Sequence, residues 1–393
     1  KAELTQKFEA CLNSNWNVKE LNKYAKSVAK AEHKLKKEKL LSQERRGKLL
    51  FYHDEVNSLV QQLVASLGNL ANTFIKSFDP EKQINDFKPE SVHLVRQLNT
   101  KAEIGGHSIE YLDDLNLLAI GDSQGTLTLW ECKQYKKVDQ VKAHKSWICN
   151  VKYSGKLGYL ITASQALEMK FFKIQQGRKL SLIRSVKESQ PVSALLPLNH
   201  ANILLSAGKG PGIKIWNLKT LQSQGKIDTN DNNGVGFQLL YIAKYDLVAA
   251  GHYNGVIALY DMKDKTEFTK VNIEQSHWKV NAMTFIESKD MLFAARGGGI
   301  LSWKLKVDER ILEECREIRL PDGLESLSLI PINNEREIIC NSSTNKIYSL
   351  NVADRSFKEI KKTDSNTSYI KVVPKRKTMI VGLYTNKALV FNY

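Results

Sequence analysis

An apolar or aromatic residue followed by a polar one recurs through the last three quarters of the chain, at Trp130-Glu131, Phe172-Lys173, Trp216-Asn217, Tyr260-Asp261, Trp303-Lys304, Leu350-Asn351 and Phe391-Asn392. The intervals between first members are 42, 44, 44, 43, 47 and 41 residues. A period of this length is that of a four-stranded β unit, too small to bury a core alone, so neighbouring units must stack. The pattern predicts an all-β propeller of seven blades.

Each unit reads as an apolar strand, a polar turn, a second strand rich in Ala, Leu and Ile, a tight turn, and a third strand ending at the aromatic position. In the first unit these are His107 to Tyr111, Leu117 to Gly121, the Ser123-Gln124-Gly125 turn and Thr126 to Trp130. In the fourth they are Phe237 to Tyr241, Leu247 to Gly251, Asn254-Gly255 and Val256 to Tyr260. Asn and Gly best tolerate the positive φ angles of a two-residue hairpin turn. A more polar fourth strand, such as Lys137 to Val141, is expected outermost, where burial is least. The chain stops with VFNY, the third strand of the seventh unit, so the missing outer strand is assigned to Val92 to Leu98. Closing a ring in this way removes the open sheet edges.

These residues resemble the WD40-repeat propeller family over about residues 92–393. That family's polar tetrad joins a His before the first strand, a Ser or Thr on the second, an Asp in the next turn, and the Trp. His144 and His277 occupy His positions and Thr162 a Ser/Thr position. The Asp slot, six residues before the aromatic position, holds Gln124, Ala166, Gly210, Asn254, Gly297, Thr344 and Thr385. No blade carries the full set, so apolar packing between blades is expected to hold the ring.

Residues 1–78 read as helix, with Leu4, Phe8 and Leu12, then Val18, Leu21, Ala25 and Val28, then Val56, Val60, Leu63, Leu67, Leu70 and Phe74 on the three-and-four spacing. Asn17 followed three residues later by Glu20 reads as a capping pair. The last stripe is shorter than three heptads, so an antiparallel hairpin and a dimerising coiled coil both fit. Between the stripes, residues 19–48 hold eleven basic and four acidic side chains, which suits a solvated helix face or a basic surface for membranes, calmodulin-like proteins or nucleic acid. Pro80 and Pro89 sit in the linker, 79–91.

The chain does not begin with Met, which fits a fragment or processed form, and no apolar run reaches the roughly 18 to 20 residues that span a bilayer. KAELTQKFEA has charges where a signal peptide would be apolar. Five widely spaced cysteines, Cys11, Cys132, Cys149, Cys315 and Cys340, without C-x-x-C suggest a reducing, intracellular and cytoplasmic setting rather than disulfides or zinc. The sequons at Asn341 and Asn366 matter only in a secreted protein. The net charge is +16, with 16 basic and 12 acidic residues in 1–91 and 42 and 30 in the rest, which reads as spread along every blade.

Chemistry is poorly represented. Ala207 to Gly212 lacks the phosphate-loop spacing and reads as a turn, as does Arg296 to Gly299. The eight His are dispersed without metal-ligand spacing, and no nucleophile elbow or locally paired Cys and His occurs. The expectation is a protein without catalysis, cofactor or metal. The stronger candidates are aromatic and basic residues at the narrow rim where loops leading into first strands meet the turns after second strands: Lys145, Trp147, Lys209, Tyr253, Trp278, Lys279 and Arg296. Trp beside cations has the composition of a binding hot spot, although Trp147 and Trp278 equally suit packing between blades. Helices before a propeller also resemble ubiquitin-ligase subunits that carry RING or B-box modules upstream. The implied function is a protein-interaction scaffold within a larger assembly, the helices dimerising or tethering it. Binding of RNA by a basic surface, and attachment to the cytoskeleton or cilia through acidic tubulin surfaces, are the alternatives; no membrane role is expected.

Overall fold

The computed structural model describes residues 87–104, 108–210, 212–229, 235–272, 279–321 and 326–393. All belong to the second of the chain's two units, Asn72–Tyr393. The helical reading of 1–78 and most of the linker lie outside the described residues.

Seven four-stranded antiparallel sheets form a seven-bladed propeller. Blade 1 spans 109–142, blade 2 148–187, blade 3 192–227, blade 4 235–272, blade 5 282–319 and blade 6 326–362. Blade 7 joins 367–392 to an outer strand from far upstream, His93–Asn99, which pairs with Lys387–Asn392. First strands touch in cyclic order, and Thr367–Val373 meets Ile109–Leu112 to close the ring.

The recurrent dipeptide has a physical role in both of its halves. The aromatic position lies opposite an aliphatic residue of the second strand in every blade: Leu118 with Trp130, Leu160 with Phe172, Leu204 with Trp216, Val248 with Tyr260, Leu292 with Trp303, Ile338 with Leu350 and Met379 with Phe391. All seven recurrent residues are buried. Each fills the junction with the preceding blade: Phe172 packs with Leu112, Ala119 and Leu129 of blade 1, and Trp216 with Ile161 and Phe171 of blade 2. Among the described residues the buried apolar side chains form seven clusters, one at each junction. In blades 3, 4 and 6 the following polar residue caps the turn into the outer strand. Asn217 Oδ1 accepts the N–H groups of Lys219 (2.8 Å) and Thr220 (3.2 Å), and Asp261 and Asn351 do the same two and three residues on.

Blade 6, which carries Leu instead of an aromatic, adapts locally. In the other six blades the outer strand bulges at the aromatic residue, as between Leu129 and Trp130. In blade 6 the bulge shifts to Ile347/Tyr348, and Tyr348 packs edge-on against Phe357 at 5.9 Å.

The polar tetrad survives in pieces. His144 Nε2 lies 2.7 Å from Thr162 Oγ1, and in blade 3 Trp216 donates to Ser206 Oγ at 2.8 Å. Glu168, two residues beyond the Asp slot, takes the place of the missing acid at 3.5 Å from His144 Nδ1. Blade 1 instead uses Asp122, whose carboxylate accepts from Gln124 (3.1 Å) and Thr126 (2.8 Å). In that turn Gly125 has φ 80°, and a Cβ there would sit 2.3 Å from the carbonyl oxygen of His144.

Candidate functional site

Antiparallel pairing puts the starts of first strands and the ends of second strands at one end of the ring, here called upper; the turns joining first to second strands form the lower end. Lys145 is exposed in the loop leading into blade 2, and Trp147 is half-buried beside Ile148, its carbonyl accepting from Gln165 at 3.0 Å. Lys209, exposed at the end of the second strand of blade 3, holds its ammonium 5.4 Å from the centroid of Tyr253 in blade 4. Burial pushes the Tyr253 phenol up, while a hydrogen bond with Ser193 pulls it the other way, so this ring links blades 3 and 4. Lys279 is half-buried before blade 5.

Two of the expected residues stand apart from this cluster. Arg296 donates to Glu317 on the outer strand of its own blade at 3.0 Å, so its charge is already engaged. Trp278 lies outside the described residues, as does His277. Among the described residues, Lys145 and Lys209 meet no carboxylate.

The lower end is organised differently, and its role is not marked by any sequence motif. Every junction there carries a contact between turn regions of adjacent blades. Lys375 pairs with Asp113, and Arg376 donates to Asn116 at 2.9 Å; Tyr153 donates to Asp114 at 2.9 Å and Ser154 to Asn199 at 2.7 Å. His200 stacks on Tyr241 at 5.2 Å, Tyr245 donates to Asp290 at 2.6 Å, and Glu335 accepts from the N–H groups of Glu287 and Ser288. Between blades 6 and 7, Asn333 both donates to and accepts from the backbone of Phe87, each at 3.1 Å, and the Phe87 ring lies 4.7 Å from Tyr393. A cavity of about 320 Å³ opens at this end beside Tyr111, Tyr153 and Lys371. Its Glu110 carboxylate is already flanked by Lys371 at 3.5 Å and Lys152 at 3.9 Å.

The positive charge is not spread along every blade, which corrects the expectation from linear counting. Blade 2 holds eight basic and one acidic side chain, blade 3 four and none, and blade 7 six and none. Blade 5, by contrast, holds seven of each, blade 4 four of each, and blade 6 six and four. Blade 1 alone is acidic, with four basic and six acidic residues. Splitting the sequence at residue 91 missed this, because blade 7 is assembled from two distant segments and neutral blades average the rest.

Among the described residues no group of three or more His, Cys, Asp or Glu could hold a metal, and no helix is long and apolar enough to cross a membrane. Burial pushes the Cys132 and Cys149 thiols up to about 12, which leaves both as poor nucleophiles.

Over 258 residues the chain is 23% identical to the human kinesin-like protein KIF21A, a match covering 59% of this chain and 15% of that protein. The chain thus corresponds to a small part of that relative's length. No protein-family model matches the chain. The seven-bladed propeller is compatible with the WD40 resemblance, and propellers commonly serve as scaffolds for protein interactions.

Proposed function

We propose that this chain is a non-catalytic protein-interaction scaffold whose upper rim binds a protein partner, with residues 1–78 pairing or tethering it in a larger assembly. The observation that supports this reading is the upper cluster itself. Two exposed lysines without carboxylate partners among the described residues lie at the end that also presents Trp147 and the cation-covered ring of Tyr253. A large aromatic surface beside cations that no carboxylate neutralises favours acidic or aromatic side chains on a partner.

Affinity capture from native extract, with and without nuclease and at two salt concentrations, tests the reading. A defined protein set that resists nuclease and is lost from Trp147→Ala and Lys209→Ala variants supports it. Undiminished capture by both variants removes the rim as the site, and loss of partners on nuclease treatment with RNA enrichment replaces the scaffold with a ribonucleoprotein role.

A second reading, attachment to the cytoskeleton, is favoured by the likeness to a kinesin-like protein and by the net charge of +16, which suits acidic tubulin surfaces. Co-sedimentation with polymerised tubulin, before and after removal of its acidic tails, separates the two readings.

A further inference from the structure

The two blades with the greatest excess of basic side chains share a feature on their outer strands. In blade 2, Leu182-Ile183-Arg184 lies on Leu180–Lys187; in blade 7, Leu94-Val95-Arg96 lies on His93–Asn99. The two triplets occupy the same register. Leu182 is opposite Phe172 and Arg184 opposite Phe171, while Leu94 is opposite Phe391 and Arg96 opposite Val390. The intervening Ile183 and Val95 are the bulged residues. All four aliphatic side chains point away from the core, at 51%, 45%, 53% and 43% exposure.

No other blade repeats the arrangement. At the same three positions blade 1 has Lys137, Val138 and Asp139; blade 3 has Ser223, Gln224 and Gly225; blade 5 has Glu314, Cys315 and Arg316. Outer strands pair on one side only. An exposed, apolar edge strand is a template for another strand, and proteins ordinarily blunt it with charge on the strand itself. Here the strand keeps two adjacent aliphatics at its centre, and the charge that accompanies them is of one sign. Among the described residues, Arg184, Lys187 and Arg96 meet no carboxylate.

We propose that the outer strands of blades 2 and 7 are a matched pair of docking edges for acidic polypeptide segments that carry apolar residues, each segment adding as a fifth strand. Main-chain hydrogen bonds supply the pairing, the exposed aliphatics take the segment's apolar side chains, and the surplus cations take its carboxylates. The aliphatic pairs favour polypeptide over nucleic acid, since phosphates gain nothing from Leu or Ile and neither triplet offers an aromatic face for a base. Blade 1 separates the two edges, so one partner with two such segments would hold both, gaining avidity over either alone. The docking edges are independent of the upper rim.

The test uses the full chain and a fluorescent acetyl-Glu-Val-Glu-Ile-Glu-Val-Glu-amide peptide, with an all-Glu peptide, a peptide in which Lys replaces every Glu, and a single-stranded oligouridine as competitors. The acidic apolar peptide should bind, weaken about tenfold or more on raising salt from low to physiological strength, and slow amide exchange across 182–187 and 94–98. Ile183→Ser with Val95→Ser, and separately Arg184→Glu with Arg96→Glu, should each weaken it about tenfold, while Lys209→Ala leaves it unchanged. Equal binding of the all-Glu peptide, stronger binding of oligouridine, no binding at millimolar peptide, or protection elsewhere overturns the proposal.

Discussion

At the lower end of the ring the turn charges are spent on neighbours: Lys375 on Asp113, Lys244 on Asp290 at 2.5 Å, and Glu335 on the backbone of blade 5. At the upper end Lys145 and Lys209 face solvent, although the loops that carry them are built from the same repeat. The difference teaches which cations the junctions consume and which they leave without a carboxylate. The upper end is tied too, by Lys214 to Glu188 across blades 2 and 3 and by the Thr367 hydroxyl to the Ser342 carbonyl across blades 6 and 7, but Lys145 takes no part in those ties and Lys209 adds only its contact with Tyr253, so both are open to change without loss of fold.

Removing a lower tie should cost most. Asn333→Ala leaves the N–H and C=O of buried Phe87 without their partner, a loss of about 2 to 4 kcal/mol in urea unfolding. A loss as small as that of an upper-rim variant would erase the contrast.

His144 is a buried weak point at the upper end. Burial, reinforced by the Lys170 ammonium and only partly offset by Glu168, holds its imidazole down at about 4 from an ordinary value of 6.5. Above pH 6.5 it is neutral folded or unfolded and adds no pH dependence. As pH falls toward 4 the unfolded chain takes up a proton that the folded chain refuses, so stability drops by up to about 1.4 kcal/mol per unit. Unfolding of His144→Gln measured across that window should lack this slope.

Smaller effects sharpen the comparison further. Although burial opposes it, hydrogen bonds from Lys244 and Tyr245 hold Asp290 below the usual carboxylate range. Because the group is partly exposed, Asp290→Ala should cost only about 1 kcal/mol, read as a lower thermal midpoint. Lys209→Ala should cost only about 0.5 kcal/mol by the same measurement, since an exposed lysine makes a single contact with the half-buried Tyr253 ring.

The fold was legible wherever the determinant is local and repeated. A large buried apolar residue recurs because every blade needs one side chain to fill a junction, and in blades 3, 4 and 6 an Asx-type cap follows it to close the turn. Tyr348 was not legible, since its role follows from a displaced bulge rather than from its spacing. Nor were the lower ties: Phe87 and Asn333 are 246 residues apart, and Arg376 and Asn116 are 260 apart. The contacts of the rim side chains were not legible either. Lys209 and Tyr253 do meet, but Arg296 is claimed by Glu317, a strand pairing that composition does not reveal. The twin Leu-aliphatic-Arg triplets were present in the sequence and gained meaning only from a shared register.

Closure of blade 7 by His93–Asn99 and Lys387–Asn392 sets a clock on synthesis. The leading strand leaves the ribosome first and then waits while nearly 300 further residues are added, roughly 15 to 60 s at ordinary elongation rates. Throughout that interval Leu98, which is buried once the ring closes, has no sheet to join.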